Sequence, residues 1–162
     1  MTDKIIIIRG NSGSGKTTVA KELCKRLGTD SMLLSQDVIR RDLLHTSDGE
    51  NSIAIDLLEQ LTLFGKTHSN FIVLEGILNS HWYKDLFNLI QKSFNNIYAY
   101  YYDIPFDETV KRFLTKSNTD YTIQDMERWW NENDLIGFNE EKVISKDMSV
   151  NDVVEMILND IK

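Results

Sequence analysis

The stretch Ile5-Ile6-Ile7-Ile8-Arg9-Gly10-Asn11-Ser12-Gly13-Ser14-Gly15-Lys16-Thr17 decides the fold. Four β-branched residues in a row suit a strand buried on both faces. Gly10 to Thr17 then matches G-x-x-x-x-G-K-[ST] in full, the pattern of a phosphate-binding loop. Its glycines let the backbone curl so that successive N–H groups face one anion. Lys16 supplies a point charge to the terminal phosphates, and the Thr17 hydroxyl is placed to coordinate Mg²⁺. Lys16 to Leu27 reads as a helix with Val19, Leu23 and Leu27 on one face and Gly28 as its stop. The N-terminal end of that helix adds a positive dipole. A chance run of small residues would lack this strand before and helix after. The residues expected to hold a nucleotide are Gly10, Asn11, Ser12, Gly13, Ser14, Gly15, Lys16, Thr17 and Thr18.

Beyond the loop, short β-rich runs alternate with helical patterns. Met32–Ser35, Phe71–Leu74, Ile97–Tyr102 and Val143-Ile144 read as strands. Asp37–Leu44, Phe106–Leu114 and Ile123–Asn133 read as helices, the last with Thr122 and Asp125 as a capping pair. Apolar stripes predict further helices over Ser52–Lys66 (Ile53, Leu57, Leu61, Phe64) and around Trp82, Leu86 and Leu89. The C-terminal stripe of Val150, Val153, Val154, Ile157, Leu158 and Ile161 is the clearest. Such alternation implies a mostly parallel sheet covered by helices on both faces. The expected architecture is a three-layer α/β fold of the P-loop NTPase type, with about five parallel strands and a short helical lid over about 112–131. The whole of 1–162 reads as one domain.

Composition narrows the function classes. With 41% hydrophobic and 27% charged residues the chain has a globular makeup rather than a disordered one. A net charge of −7 argues against broad binding to nucleic acid or anionic membrane. One cysteine, Cys24, excludes an internal disulfide and a cysteine-rich zinc site, and it reads as helix packing. No apolar run approaches the ~20 residues of a membrane span, and Ile5–Ile8 comes too early and is too short for a signal peptide. The expected compartment is the cytoplasm. His45, His68 and His81 lack metal-ligand spacing. Asp134-Leu135-Ile136-Gly137 has the spacing of a GTPase switch but follows the lid, and no Asn-Lys-x-Asp guanine motif exists.

Two acidic positions carry the chemistry. Asp37, in Ser35-Gln36-Asp37-Val38-Ile39-Arg40-Arg41, follows the second strand and so falls at the carboxyl ends of the sheet beside the loop. A carboxylate there can accept the proton of a hydroxyl attacking the γ-phosphate; the plainer role is a helix cap. Arg40, three residues on, shares its face and can hold an anionic acceptor group. Glu75 ends the run Phe71-Ile72-Val73-Leu74-Glu75-Gly76, where it can hold Mg²⁺ through water, bind an acceptor hydroxyl, or only mark a turn.

Strand, phosphate loop, helix and then a strand with Asp37-x-x-Arg40 resembles the small P-loop kinases grouped around polynucleotide 5′-hydroxyl kinase, zeta toxin, chloramphenicol phosphotransferase and gluconate kinase. The resemblance is strong over the N-terminal third and rests on pattern beyond about residue 80. It implies that Asp37 is a general base and Arg40 a substrate contact. Asp103–Arg112 resembles the segment leading into the lid of these kinases, which offers Arg112, then Lys116 and Arg128, as cations closing over the transferring group. The alternative is ordinary helical surface pairs, Glu108–Arg112 and Asp107–Lys111. Ser117–Tyr121 contains no cation, so this lid departs from an arginine-rich one. Trp129-Trp130 can stack on a planar acceptor or pack the lid.

What the resemblance implies is an ATP- and Mg²⁺-dependent kinase for a hydroxyl of a metabolite, nucleoside or antibiotic. Its catalytic residues would be Lys16, Asp37 and Arg112. Asp37, Arg40 and Glu75 would bind the acceptor, and Thr17 the metal. Its partners would be a nucleoside triphosphate and a small acceptor, not nucleic acid or membrane. A nucleic-acid 5′-hydroxyl kinase, a nucleotide-sugar kinase of the zeta-toxin kind, and a nucleotide-dependent switch remain as alternatives.

Overall fold

The computed structural model describes residues 2–117, 119–137 and 140–162. Asn118, inside the expected lid, lies outside the described residues. The chain runs β1 (Lys4–Gly10), α1 (Lys16–Leu27), β2 (Ser31–Ser35), a π-helical segment (Val38–Leu43), α2 (Ile53–His68), β3 (Phe71–Gly76) and α3 (Lys84–Ser93). It continues through β4 (Asn96–Tyr102), α4 (Phe106–Leu114), α5 (Ile123–Arg128), β5 (Glu141–Ile144) and α6 (Val150–Asp160).

All five strands are parallel, in the order β2-β3-β1-β4-β5. The isoleucine run forms the central strand and is fully buried, as four consecutive β-branched residues require. Ile5 and Ile7 pack with Leu58, Leu86 and Ile90 on one side of the sheet. Ile6 and Ile8 pack with Val19, Leu23, Val153 and Ile157 on the other. Crossovers leave β1 toward β2 and pass from β3 to β4, so the chain reverses direction about β1. That is where α/β sheets open a ligand crevice. The register sets Ile8 beside Glu75, and Ser35 beside Glu75 on the other flank. The tips of β1, β3 and β2 therefore bring the loop, Glu75 and the Ser35–Asp37 turn together.

Three helices differ from their expected faces or lengths. In α2 the residues turned inward are Ala54, Leu58, Thr62 and Gly65, while Ile53 and Phe64 of the expected stripe stand exposed and Leu57 and Leu61 pack at the margin. Gly65 explains the rotation. A Cβ there would lie 2.9 Å from Met32 Sδ and 3.0 Å from Ile72 Cδ1, so only the bare backbone allows α2 to sit this close to the sheet. Around α3 the buried set is Tyr83, Leu86, Phe87 and Ile90, and Trp82 precedes the helix and is exposed. The capping box of Thr122 and Asp125 starts α5 as expected, but the helix stops at Arg128 rather than reaching Asn133. There the Asn131 N–H is held by the Asn11 side chain at 2.8 Å, a tertiary bond that replaces a helical one.

Arg9 is the last residue but one of β1 and is fully buried. Its Nη2 donates to Asp134 Oδ2 at 2.6 Å and its Nη1 to Glu141 Oε1 at 2.9 Å, while Nε and Nη2 both reach the Leu78 carbonyl. The guanidinium also lies over the rings of Phe87 and Tyr101. A buried cation stripped of one partner is strongly destabilising. Asp134→Ala is expected to lower unfolding free energy by about 3–5 kcal/mol in urea titration. A loss under about 1 kcal/mol would mean that Glu141, the Leu78 carbonyl and the Asp134 backbone carbonyl, which Arg9 Nη1 reaches at 2.7 Å, suffice to compensate Arg9.

Candidate active site

The loop between β1 and α1 closes around Lys16. Lys16 Nζ donates to the Asn11 carbonyl at 2.8 Å, and the Ser14 hydroxyl donates to the same oxygen at 2.7 Å. Gly13 has φ +80°, and a Cβ there would stand 2.8 Å from the Thr109 carbonyl oxygen, so the loop can rest on α4 only with glycine at this point. A small cavity of about 70 Å³ opens above the loop, lined by Ser12, Gly13, Gly15, Lys16, Thr17 and Thr18 together with Asp37, Glu75, Lys116 and Tyr121. Gly10, Asn11 and Ser14 act behind it: Gly10 turns the chain, Ser14 braces it, and Asn11 exchanges hydrogen bonds with the backbone of Asn131. Burial pushes the Lys16 ammonium down to about 8, against the opposing pull of Glu75 and Asp37.

Glu75 is buried at the tip of β3. Its Oε1 accepts from Ser35 Oγ at 2.5 Å and from Thr17 Oγ1 at 3.2 Å. Hydroxyl and carboxylate oxygens are the hard donors that Mg²⁺ takes, so Thr17 and Glu75 fit that ion. Among the described residues no three His, Cys, Asp or Glu side chains gather to hold a metal by themselves. A cation here would therefore complete its shell with phosphate oxygens and water, as Mg²⁺ ordinarily does.

Asp37 has helical backbone angles and no capping hydrogen bond, so the capping role is not realised. Its carboxylate is more than half exposed and accepts from Arg40 Nη2 at 3.1 Å, with Arg41 Nε at 3.7 Å. A second cavity, about 360 Å³, is lined by Arg40, Arg41, Asp48, Trp82, Arg128 and Trp129 among others. Asp37, Ser12, Ile77 and Tyr121 line both cavities. Asp37 thus stands on the boundary between the phosphate pocket and the larger chamber. Asp48 is fixed in the chamber wall by the Tyr83 hydroxyl at 2.6 Å, itself held by Gln36 Nε2 at 2.9 Å. Burial and the neighbouring Asp48 carboxylate push the Tyr83 phenol well above its ordinary range, so it stays a donor.

The expected lid cations separate. Arg112 sits outside the loop, donating to the Ser14 carbonyl at 2.7 Å and the Lys146 carbonyl at 3.0 Å, with Glu108 at 3.3 Å. Lys116 lines the phosphate pocket, and Arg128 lines the chamber while paired with Asp125. The tryptophans separate too: Trp129 faces the chamber, and Trp130 stands edge-on to Phe106 at 5.3 Å. His68 stacks on Phe64 at the surface, and Cys24 is half-buried with its thiol pushed up by burial.

Sequence reasoning did not find Arg41, Asp48, Tyr83 or the Asn11–Asn131–Asn79 chain, in which Asn79 Nδ2 reaches Asn131 Oδ1 at 2.8 Å. Asp48, Tyr83 and the asparagines meet through segments remote in sequence and have no spacing signal, whereas Arg41 stands four residues after Asp37 on the same helical segment. Arg9 had a signal: a lone charge within a strand buried on both faces.

A family model for an AAA domain, AAA_33, matches residues 5–129. The chain belongs to this family. The solved structures it resembles share the fold at low identity. A gluconokinase from Sinorhizobium meliloti 1021 superposes with TM-score 0.69 at 12% identity, over 98% of this chain and 91% of that one. The APS kinase CysC of Mycobacterium tuberculosis, solved with AMPPNP and APS, gives 0.68 at 18%, over 98% and 96%. The tunicamycin resistance protein of Deinococcus radiodurans gives 0.66 at 18%, over 98% and 95%. No match was found among curated proteins. The resemblance read from the loop and Asp37-x-x-Arg40 is borne out, as is the five-stranded P-loop fold.

A nucleotide bound by this AAA-domain protein brings phosphate charge against Lys16 and raises its depressed pKa again. Binding near pH 8 is therefore expected to take up part of a proton, because burial holds the Lys16 ammonium down to about 8 in the free protein. The calorimetric enthalpy should vary with the ionisation enthalpy of the buffer, and Lys16→Met should abolish that dependence. Equal enthalpies across buffers for the wild-type protein would contradict the shifted lysine.

Proposed function

We propose that the protein is an ATP- and Mg²⁺-dependent kinase that transfers the γ-phosphate to a hydroxyl of a small molecule. The observation that carries this reading is the position of Asp37, shared between the linings of the phosphate pocket and the 360 Å³ chamber. A nucleotide switch needs the first cavity only. A kinase needs a second one, joined to the first at a proton acceptor.

In this reading the loop N–H groups and Lys16 hold the β- and γ-phosphates, and the chamber holds the acceptor with its hydroxyl toward Asp37. The Asp37 carboxylate takes the hydroxyl proton as the oxygen bonds to the γ-phosphorus and the bond to the β-phosphate oxygen breaks, releasing ADP. Mg²⁺, held by Thr17 and by Glu75, would neutralise phosphate charge. Arg40 keeps the Asp37 carboxylate turned toward the junction through its 3.1 Å contact. Lys116 is the lid cation best set to approach the transferring group, and Arg112 stiffens the loop from outside. No described helix is long and apolar enough to cross a membrane, and a reaction fed by ATP fits the cytoplasm.

The test is Mg²⁺-dependent ATP consumption across pools of nucleosides, sugars, antibiotics, nucleotide sugars and 5′-hydroxyl oligonucleotides, with Lys16→Ala as blank. One pool should raise turnover well above background. In that pool Asp37→Asn should slow transfer by about 10²–10⁴-fold with nucleotide affinity unchanged. Full activity in Asp37→Asn would remove the general base from the account.

A further inference from the structure

The chamber has a chemistry of its own. The chain carries a net charge of −7, yet three arginines, Arg40, Arg41 and Arg128, line this one cavity. Two carboxylates share the lining, and both are engaged: Asp37 by Arg40, and Asp48 by the Tyr83 hydroxyl and the Gly49 N–H. Arg40 is committed further, to the Thr46 carbonyl at 3.2 Å.

Arg41 differs. Among the described residues its side chain donates no hydrogen bond, and its nearest carboxylate oxygen, on Asp37, is 3.7 Å away; its Nε, like that of Arg40, is buried without a partner. What holds it are two ring faces, Tyr121 at 5.5 Å and Trp129 at 5.8 Å from the centroids. Ring faces fix the plane of a guanidinium but leave its in-plane donors unmet. The one donor buried without a partner, the Nε–H, is costly to leave unmet, and an oxyanion accepting parallel N–H bonds from Nε and Nη relieves that cost. The remaining lining includes the indoles of Trp82 and Trp129, flat apolar surfaces suited to a ring. The volume, about 360 Å³, is that of a small ligand pocket.

We infer that the acceptor bears an oxyanion (a phosphate, sulfate or carboxylate) and a planar ring, the oxyanion bound by Arg41 with Arg128 and the ring lying against Trp129 and Trp82. Arg41 is then the residue that sets acceptor specificity. This rests on the kinase reading for the word acceptor, but the binding claim stands apart from it.

Titration calorimetry with saturating Mg·AMPPNP keeps the phosphate loop filled, so that the chamber alone is probed. The probes are matched pairs: uridine 5′-monophosphate with uridine, adenosine 5′-monophosphate with adenosine, and 4-hydroxybenzoate with 4-hydroxybenzyl alcohol. Gluconate serves as an oxyanion without a ring, and inorganic phosphate as the anion alone. At least one ring oxyanion should bind tenfold or more tightly than its uncharged partner, gluconate and phosphate. Arg41→Ala should erase that preference and Arg41→Lys retain part of it, while AMPPNP affinity in both variants reports an intact fold. The first two pairs winning points to a nucleotide, the third to an aromatic acid. Uncharged partners binding as well, gluconate binding best, no probe binding, or a preference that survives Arg41→Ala would each overturn the inference. A ring oxyanion that binds through Arg41 but is never phosphorylated would defeat the kinase reading alone. Phosphorylation of an uncharged or ringless acceptor would defeat this inference and leave the kinase.

Discussion

The buried guanidinium of Arg9 joins parts of the chain that otherwise meet only around the site. It lies near the end of β1, directly before the first glycine of the phosphate loop, and reaches the Leu78 carbonyl beyond β3, Asp134 beyond α5 and Glu141 at the start of β5. Leu78 has φ +45°, a conformation unfavourable for leucine, and two hydrogen bonds from Arg9 hold its carbonyl there. Asp134 also accepts from the Ser80 N–H and hydroxyl, and Glu141 from the Ile136 N–H. One cation thus fixes the loop after β3 and the return from α5, the two segments that bear Trp82 and Trp129. Such a group adds little net stability over a packed apolar one, but its removal would leave charges stranded. Its effect is to fix where the chamber walls stand.

The arrangement of the candidate site follows from strand order. With β1 central, the loop springs from the middle of the sheet, Glu75 from the neighbouring tip and Asp37 from just beyond the next. These three tips form an arc that begins at the phosphates and ends at the chamber. The Asn11–Asn131–Asn79 chain then ties the loop to the segment after α5, so the two cavities share a wall.

Much of this was legible in the sequence because it is local. The phosphate loop, the extent of α1 and α4, the capping box of α5 and the buried isoleucine run depend on spacing within a dozen residues. Asp37 and Glu75 were legible for a second reason: parallel α/β sheets put their strand ends on one side, so an acid at a strand tip has a known destination. What failed was tertiary. The inward face of α2 is set by Gly65 against Met32 and Ile72, contacts remote in sequence. α5 is cut short by Asn11, more than a hundred residues upstream. The partners of Arg112, the Ser14 and Lys146 carbonyls, are likewise remote in sequence and carry no spacing signal. Asp134 carried the spacing of a switch motif and instead pairs with Arg9.

The central claim is that phosphate pocket and chamber meet at Asp37, so that a bound γ-phosphate faces the acceptor. The most direct measurement is a crystal structure with AMPPNP and Mg²⁺, read for the position of the γ-phosphate. The account predicts the γ-phosphorus between Lys16 and Asp37, its open face toward the chamber lined by Arg41 and Trp129. A γ-phosphate turned away from Asp37, or an Asp37 carboxylate swung out of the junction with nucleotide bound, would contradict it.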